Sequence, residues 1–376
     1  RMIQKVLSQP PGWFLGHQHI EHVLPLILCP KMLPEVVRYH LSMSFQARWR
    51  RPLAPDKVFS HGKVTGMGTL NHMAQARPKA LLGAEVNGLP WLARKAGYGL
   101  SLLNRQMIYS DGFSQEMGDS YYRGITLAPL QAAAKYAENP LMRLMADLMV
   151  EKLLFEDIST YHPGLRHRVS RIARRAGDLY RYVLGQDVPE AALHTLSRKG
   201  TLIHLEEPGP KPEVHGMRTF DLHATPPVRA ALMAPWGDPW EANAIDKKPL
   251  PFRFVFSTRV MGRVQEPIHA ITYMGQNYAM GSEEAYTSAA VPFFAAWRRR
   301  AEPVDHVEDF GVMFLRGRLN EQPLTWLDKT PFGMLQHDNK LIWAIKTQER
   351  RFVAEGHGNL PEGIEEGISS FKARVA

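Results

Sequence analysis

The stretch Glu207-Pro208-Gly209-Pro210-Lys211-Pro212, followed by Thr225-Pro226-Pro227, divides this chain into two differently patterned parts. Proline lacks a backbone N–H and fixes φ, so such a run extends neither a helix nor a central strand. Residues 205–251 therefore read as a linker or as long loops. Downstream, apolar residues alternate: Phe252, Phe254 and Phe256 are separated by Arg253 and Val255. Further β-rich runs are Ile268 to Tyr273, Phe310 to Leu315 and Leu341 to Ile345. Upstream, the spacing is helical, as in Leu33, Val36, Val37 and Leu41. It predicts helices over 18–29, 31–50, 67–86, 90–108, 120–137, 140–157, 165–185 and 189–198. Pro30 separates the first two, Pro78 kinks or breaks the third, and Asn139-Pro140 marks a helix start. Helices followed by strands predict an α+β chain: a helical domain over 1–204, a Pro-rich connection over 205–251 and an antiparallel β domain over 252–376.

At 376 residues the chain is long enough for two domains with substantial cores. With 44% hydrophobic and 22% charged residues, wholesale disorder is excluded. The formal net charge of +9 favours an anionic partner: nucleic acid, a membrane surface or an acidic polymer. The single cysteine, Cys29, cannot form an internal disulfide and reads as a small buried apolar residue. The longest apolar run, Val23 to Cys29, falls far short of the roughly 20 residues of a spanning helix, so no membrane partner is expected. The sequence opens on Arg1, which reads as a processed or shortened front end. The patterns GxxxxGK[ST], HExxH, GxSxG and CxxC are absent, which disfavours a phosphate-loop ATPase, a zincin, an α/β-hydrolase and a zinc ribbon.

Two sites carry chemistry. Asn71-His72 lies near the start of a predicted helix and offers an amide and a titratable imidazole. Alone, it reads equally as a helix terminus with a solvated histidine. The run Asp111-Gly112-Phe113-Ser114-Gln115-Glu116-Met117-Gly118-Asp119-Ser120-Tyr121-Tyr122-Arg123 is a polar loop entering a helix capped by Asp119 or Ser120. Its aromatics serve equally well as packing residues.

Together the two sites resemble the α/α-toroid polysaccharide lyases, including the alginate lyase and heparinase II/III-like families. The matching residues are Asn71-His72, Asp111-Gly112, Glu116 and Tyr121-Tyr122. The run Tyr121-Tyr122-Arg123-Gly124-Ile125-Thr126-Leu127-Ala128-Pro129-Leu130 is similar to the oligoalginate-lyase branch. The resemblance implies an N-terminal toroid-like helical domain, shorter here than is usual, followed by an antiparallel β-sandwich. It implies cleavage beside a uronic acid by β-elimination. The C5 proton becomes acidic only if the neighbouring carboxylate is neutralised. Asn71 suits that task, with His72 assisting or acting as base. Tyr121 or Tyr122 would remove the proton or protonate the leaving oxygen, and Arg123 would supply the positive charge that a phenolate base needs. Glu116 would orient the loop or act directly.

Two other classes compete. Asp111 and Glu116 could be the carboxylate pair of a glycoside hydrolase. A non-enzymatic polyanion binder would need only dispersed cations and aromatics. Candidate binding residues include Trp49, within Arg48-Trp49-Arg50-Arg51, which suits sugar stacking and carboxylate pairing or a helix end. His19, with His17 and His22, lines a polyanion cleft or holds a structural divalent metal, zinc or calcium; no cofactor is otherwise indicated. His337, at a turn after Gln336, reaches across a cleft or is solvated, and His215, His223 and His269 compete with it. The arginines from Arg166 to Arg181 form a solvated helix face or a polyanion track, and Trp297-Arg298-Arg299-Arg300 is a further basic cluster. The expected partner is an acidic polysaccharide or oligosaccharide, in preference to nucleic acid. A polymeric substrate places the protein in the periplasm or outside the cell.

Overall fold

The structure, a computed structural model, describes residues 23–50, 70–109, 120–173, 193, 239–258, 268–283, 289–291, 293–299, 304, 309–316, 318–319, 322–323, 332–345 and 374–375. Helices come first: α1 (Leu24–Leu28), α2 (Glu35–Arg50), α3 (Leu70–Val86), α4 (Pro90–Tyr109), α5 (Ser120–Tyr136) and α6 (Pro140–Thr160). Then come β1 (Tyr161–His162), β2 (His167–Arg168), β3 (Ile172–Ala173) and α7 (Pro239–Asp246). Strands complete the order: β4 (Phe252–Thr258), β5 (Ile268–Met274), β6 (Tyr278–Glu283), β7 (Ala289–Val291), β8 (Phe293–Arg298) and β9 (Phe310–Arg316). After them run β10 (Arg318–Leu319), β11 (Gln322–Pro323), β12 (Phe332–His337), β13 (Lys340–Ile345) and β14 (Arg374–Val375). The fold is α+β, with helices preceding an antiparallel sheet. Helix α7 lies within the stretch expected to be linker or loops.

The chain divides into two compact units. Among the described residues, one unit holds α1 to α4, α5 from Gly124 and α6 as far as Leu153. The other holds Ser120–Arg123, the end of α6 from Leu154, α7 and the strands.

In the first unit α3 is buried on every side. From Met73 to Ala84 only Ala76 is partly exposed. Pro78 sits inside this unbroken helix, where it forfeits one main-chain hydrogen bond. The burial of Ala74, Ala80, Leu81, Leu82 and Ala84 around it opposes that loss. Gly83 is required by close approach: a Cβ there would stand 2.1 Å from the Phe45 ring. The helix ends at Gly88, whose φ of +62° favours glycine, and Leu89 N–H closes the end on the Ala84 carbonyl at 2.8 Å. Pro90 then opens α4. Asn139 caps α6 as its sequence predicts, its Oδ1 accepting from Leu141 N–H at 2.9 Å. Cys29 is half-buried and is not part of the core.

In the second unit the main sheet has strand order β14-β9-β8-β6-β5-β4, and each pairing is antiparallel. Alternation sends Met274, Ala279, Phe294 and Ala296 to one face, where they pack with Leu165, Val169 and Val304. Met280 and Phe293 point to the other face and pack with Tyr273, Ala295, Met313 and Leu341. Leu341 belongs to the β12–β13 hairpin, which turns at Asp338-Asn339 with Asp338 at φ +51°. Both faces of β6 are therefore covered, and its residues from Ala279 to Glu283 are all buried.

The helix expected over 165–185 is not found across its described residues, 165–173. That segment instead closes a short β1–β2 hairpin and runs to β3. Pro163-Gly164 ends the helical run of α6, and Arg166 adopts φ +54° in the turn. The segment then lies flat on the sheet. Val169 O accepts from Thr272 Oγ1 at 3.3 Å, and a Cβ on Gly281 would come within 2.5 Å of Ser170 Cα. Sheet contact, which periodicity does not report, decides the conformation here.

Candidate functional site

Two groups of the residues expected to carry chemistry lie at helix starts, one in each unit. Asn71 and His72 occupy the first turn of α3, in the first unit. Tyr121, Tyr122 and Arg123 occupy the first turn of α5, in the second unit. Helix starts present unpaired N–H groups and the positive end of the helix dipole, a setting that favours a carboxylate. Trp49 lies in the last turn of α2. His337 ends β12 and is exposed, with Nδ1 3.8 Å from the Asp338 carboxylate. His269, its competitor, lies exposed on β5. Glu116, Asp111, His17, His19, His22, His215 and His223 lie outside the described residues, as do the arginines from Arg174 to Arg181. Among the described residues no group of three or more His, Cys, Asp or Glu side chains is placed to hold a metal.

Beyond Asn71 and His72, α3 carries three buried polar side chains, Gln75, Arg77 and Lys79. Burial lowers the Arg77 pKa to about 10. Charged groups are costly to bury without compensation, and α3 carries two of them.

A second polar cluster, in the second unit, was missed by sequence reading. His162 is fully buried. Its Nδ1 accepts from Gly164 N–H and Leu165 N–H, each at 3.0 Å. Its Nε2, as the donor that this tautomer requires, meets Gly275 O at 2.8 Å. Lys248 Nζ donates to the carbonyls of Ile158 and of Tyr161, the latter at 2.6 Å. It thereby caps the C-terminal end of α6 and sits 4.9 Å from the Phe252 ring centre. Burial lowers the Lys248 pKa to about 7. The second unit also holds two buried ion pairs: Arg168 with Asp157 at 3.1 Å and Arg171 with Glu283 at 3.2 Å. The expected exposed arginine stripe is thus, at Arg168 and Arg171, an internal one. The only local sequence signal was Pro163-Gly164. Partners such as Gly275, Lys248 and Glu283 are far away in sequence.

This cluster is a lock, not a reaction centre, because both ring nitrogens of His162 are engaged by main chain. Burial, and then the charges of Lys248 and Arg298, hold the His162 pKa down at about 4. An unfolded histidine titrates near 6.5. Between these values the unfolded chain binds a proton that the folded chain does not. The contribution is fully present above about 6.5 and is lost as pH falls towards 4, by about 3 kcal/mol. Urea unfolding at pH 7 and pH 4.5 should show this loss, and His162→Gln should flatten the pH dependence. An unchanged slope in the variant would reject the assignment.

Comparisons with protein-family models, with curated proteins and with solved structures find no match to this chain.

Proposed function

We propose that this chain is a polysaccharide lyase that cleaves a uronic-acid-containing anionic polysaccharide or oligosaccharide by β-elimination, outside the cytoplasm. In this reading the helices form a toroid-like catalytic domain and the strands a β-sandwich. The observation that carries it is α3: the Asn71-His72 pair opens a fully wrapped helix whose interior holds Gln75, Arg77 and Lys79. Tyr121 and Tyr122, the acid/base candidates, open α5 in the second unit. Asn71 neutralises the uronate carboxylate, His72 assists it or acts as base, and a tyrosine moves the proton. No helix among the described residues is long and apolar enough to cross a membrane.

The test is a panel of alginate, hyaluronan, heparan, chondroitin and ulvan-type substrates, as polymers and as oligomers. β-Elimination leaves a double bond conjugated to the carboxylate, so ultraviolet absorbance should rise with at least one of them. Reducing ends appearing without that chromophore would replace the lyase with a hydrolase. Silence across the panel in both readouts would reject an enzyme of this class.

A further inference from the structure

We infer that the second unit carries an aromatic platform that binds a sugar of an acidic glycan chain: Tyr273, Tyr278 and Trp297 on one face of the main sheet. Strand register places them together. Tyr278 is the cross-strand partner of Trp297, and the Tyr273 and Tyr278 ring centres are 6.1 Å apart. All three point to the same face, because Tyr273 pairs with Met280, two residues beyond Tyr278 on β6. Trp297 is 40% exposed and both tyrosines are half-buried, Tyr273 packing at the edge of the Met280 and Phe293 cluster.

Two glycines let the rings lie down on the sheet. A Cβ on Gly311 would stand 2.5 Å from the Trp297 indole, and one on Gly275 would stand 2.4 Å from the Tyr278 ring. The rings therefore occupy the space that side chains at those positions would fill. The Tyr273 and Tyr278 rings are tilted by 41° to one another. A flat aromatic face carries negative quadrupole density, and a pyranose presents C–H groups of slight positive charge to it.

Charge selects the sugar. Arg253 is exposed and is the cross-strand partner of Tyr273, so it borders the platform on β4. Arg299 is exposed two residues after Trp297, where its N–H continues the ladder to Asp309 O at 2.8 Å. Guanidinium groups on two sides match carboxylate or sulfate substituents on a bound chain. Desolvation, then the neighbouring Tyr278 and last the carboxylate of Asp338 at the hairpin tip, raise the Tyr273 phenol pKa. That carboxylate faces His337 at 3.8 Å, with exposed Lys340 as the cross-strand partner of that histidine. Among these described residues, Arg253, Arg299 and Lys340 outnumber the one carboxylate, Asp338.

The choice of an acidic glycan rests on the function proposed above, but binding does not require that the glycan be cut. The test measures binding alone: retardation of the whole chain in native gels containing alginate or chondroitin sulfate, against gels containing neutral hydroxyethyl cellulose. The acidic polymers should retard the protein and the neutral one should not. Trp297→Ala should weaken retention about tenfold in apparent Kd, while Trp297→Phe, which keeps a ring, should retain most of it. Arg253→Gln should weaken binding to the acidic polymers and leave the circular dichroism spectrum unchanged. Equal retention of wild type and Trp297→Ala would overturn the platform and leave the lyase reading intact. Loss of retention in Trp297→Ala, with no chromophore from any substrate, would uphold the platform and remove the lyase. Equal retardation by the neutral polymer would overturn the assignment to an acidic chain.

Discussion

Asn71→Ala is expected to lower turnover of the responsive uronate substrate by about 10²–10³-fold with little change in KM. Loss of one pre-oriented donor at a developing oxyanion typically costs that much. The uronate carboxylate is already negative in the ground state, and the carbanion formed at C5 pushes further charge onto it. In the lyase proposed above, an amide at Asn71 would act mainly on that additional charge, so its loss would fall on kcat. Tyr121→Phe and Tyr122→Phe divide the second role. One should cost about 10²–10⁴-fold, the size of a lost general acid or base, and the other should be nearly silent. Initial rates followed by absorbance decide both. An Asn71→Ala enzyme within threefold of wild type would remove Asn71 from the mechanism.

Glu283→Ala is expected to destabilise the second unit by about 3–5 kcal/mol. Arg171 Nε lies 3.2 Å from Glu283 Oε2, and both side chains are 0% exposed. Removing the carboxylate leaves a guanidinium in the interior with its charge uncompensated. Arginine cannot escape by losing its proton at neutral pH. Water cannot easily reach it either, since β6 is covered on both faces and Gly281 holds the Ser170 backbone against the sheet. Arg171→Met combined with Glu283→Leu should recover much of the loss, because it removes both buried charges together. Urea midpoints of the two single variants and the double variant measure this. A single variant within about 1 kcal/mol of wild type would show that the pair is not buried as described.

Much of the fold was legible because its signals are local. Asn139-Pro140 announces α6, and its cap is made by the next residues. The alternation at Phe252, Phe254 and Phe256 gives β4, and Asp338-Asn339 gives the hairpin turn. Helix α3 was legible in extent; Pro78 lies inside it without ending it, and burial around the helix opposes the missing hydrogen bond. Of the site, the sequence supplied the residue types at Asn71, His72, Tyr121 and Tyr122, and the backbone puts each at a helix start.

Other features needed the tertiary structure. The arginines at 166, 168 and 171 have helical spacing, yet Arg168 answers Asp157 and Arg171 answers Glu283, 112 positions later by residue number. Trp297 read as part of a basic cluster, and only strand register sets it beside Tyr278 and over Gly311. The sequence by itself determined where helices start, where strands alternate and which side chains could do chemistry. Those properties depend on neighbours within about one turn or one pleat. The tertiary structure decided which charges are buried and paired, which histidine is locked in its neutral form and which aromatics share a surface. Each of these depends on a partner brought close by folding, and no local spacing encodes that partner.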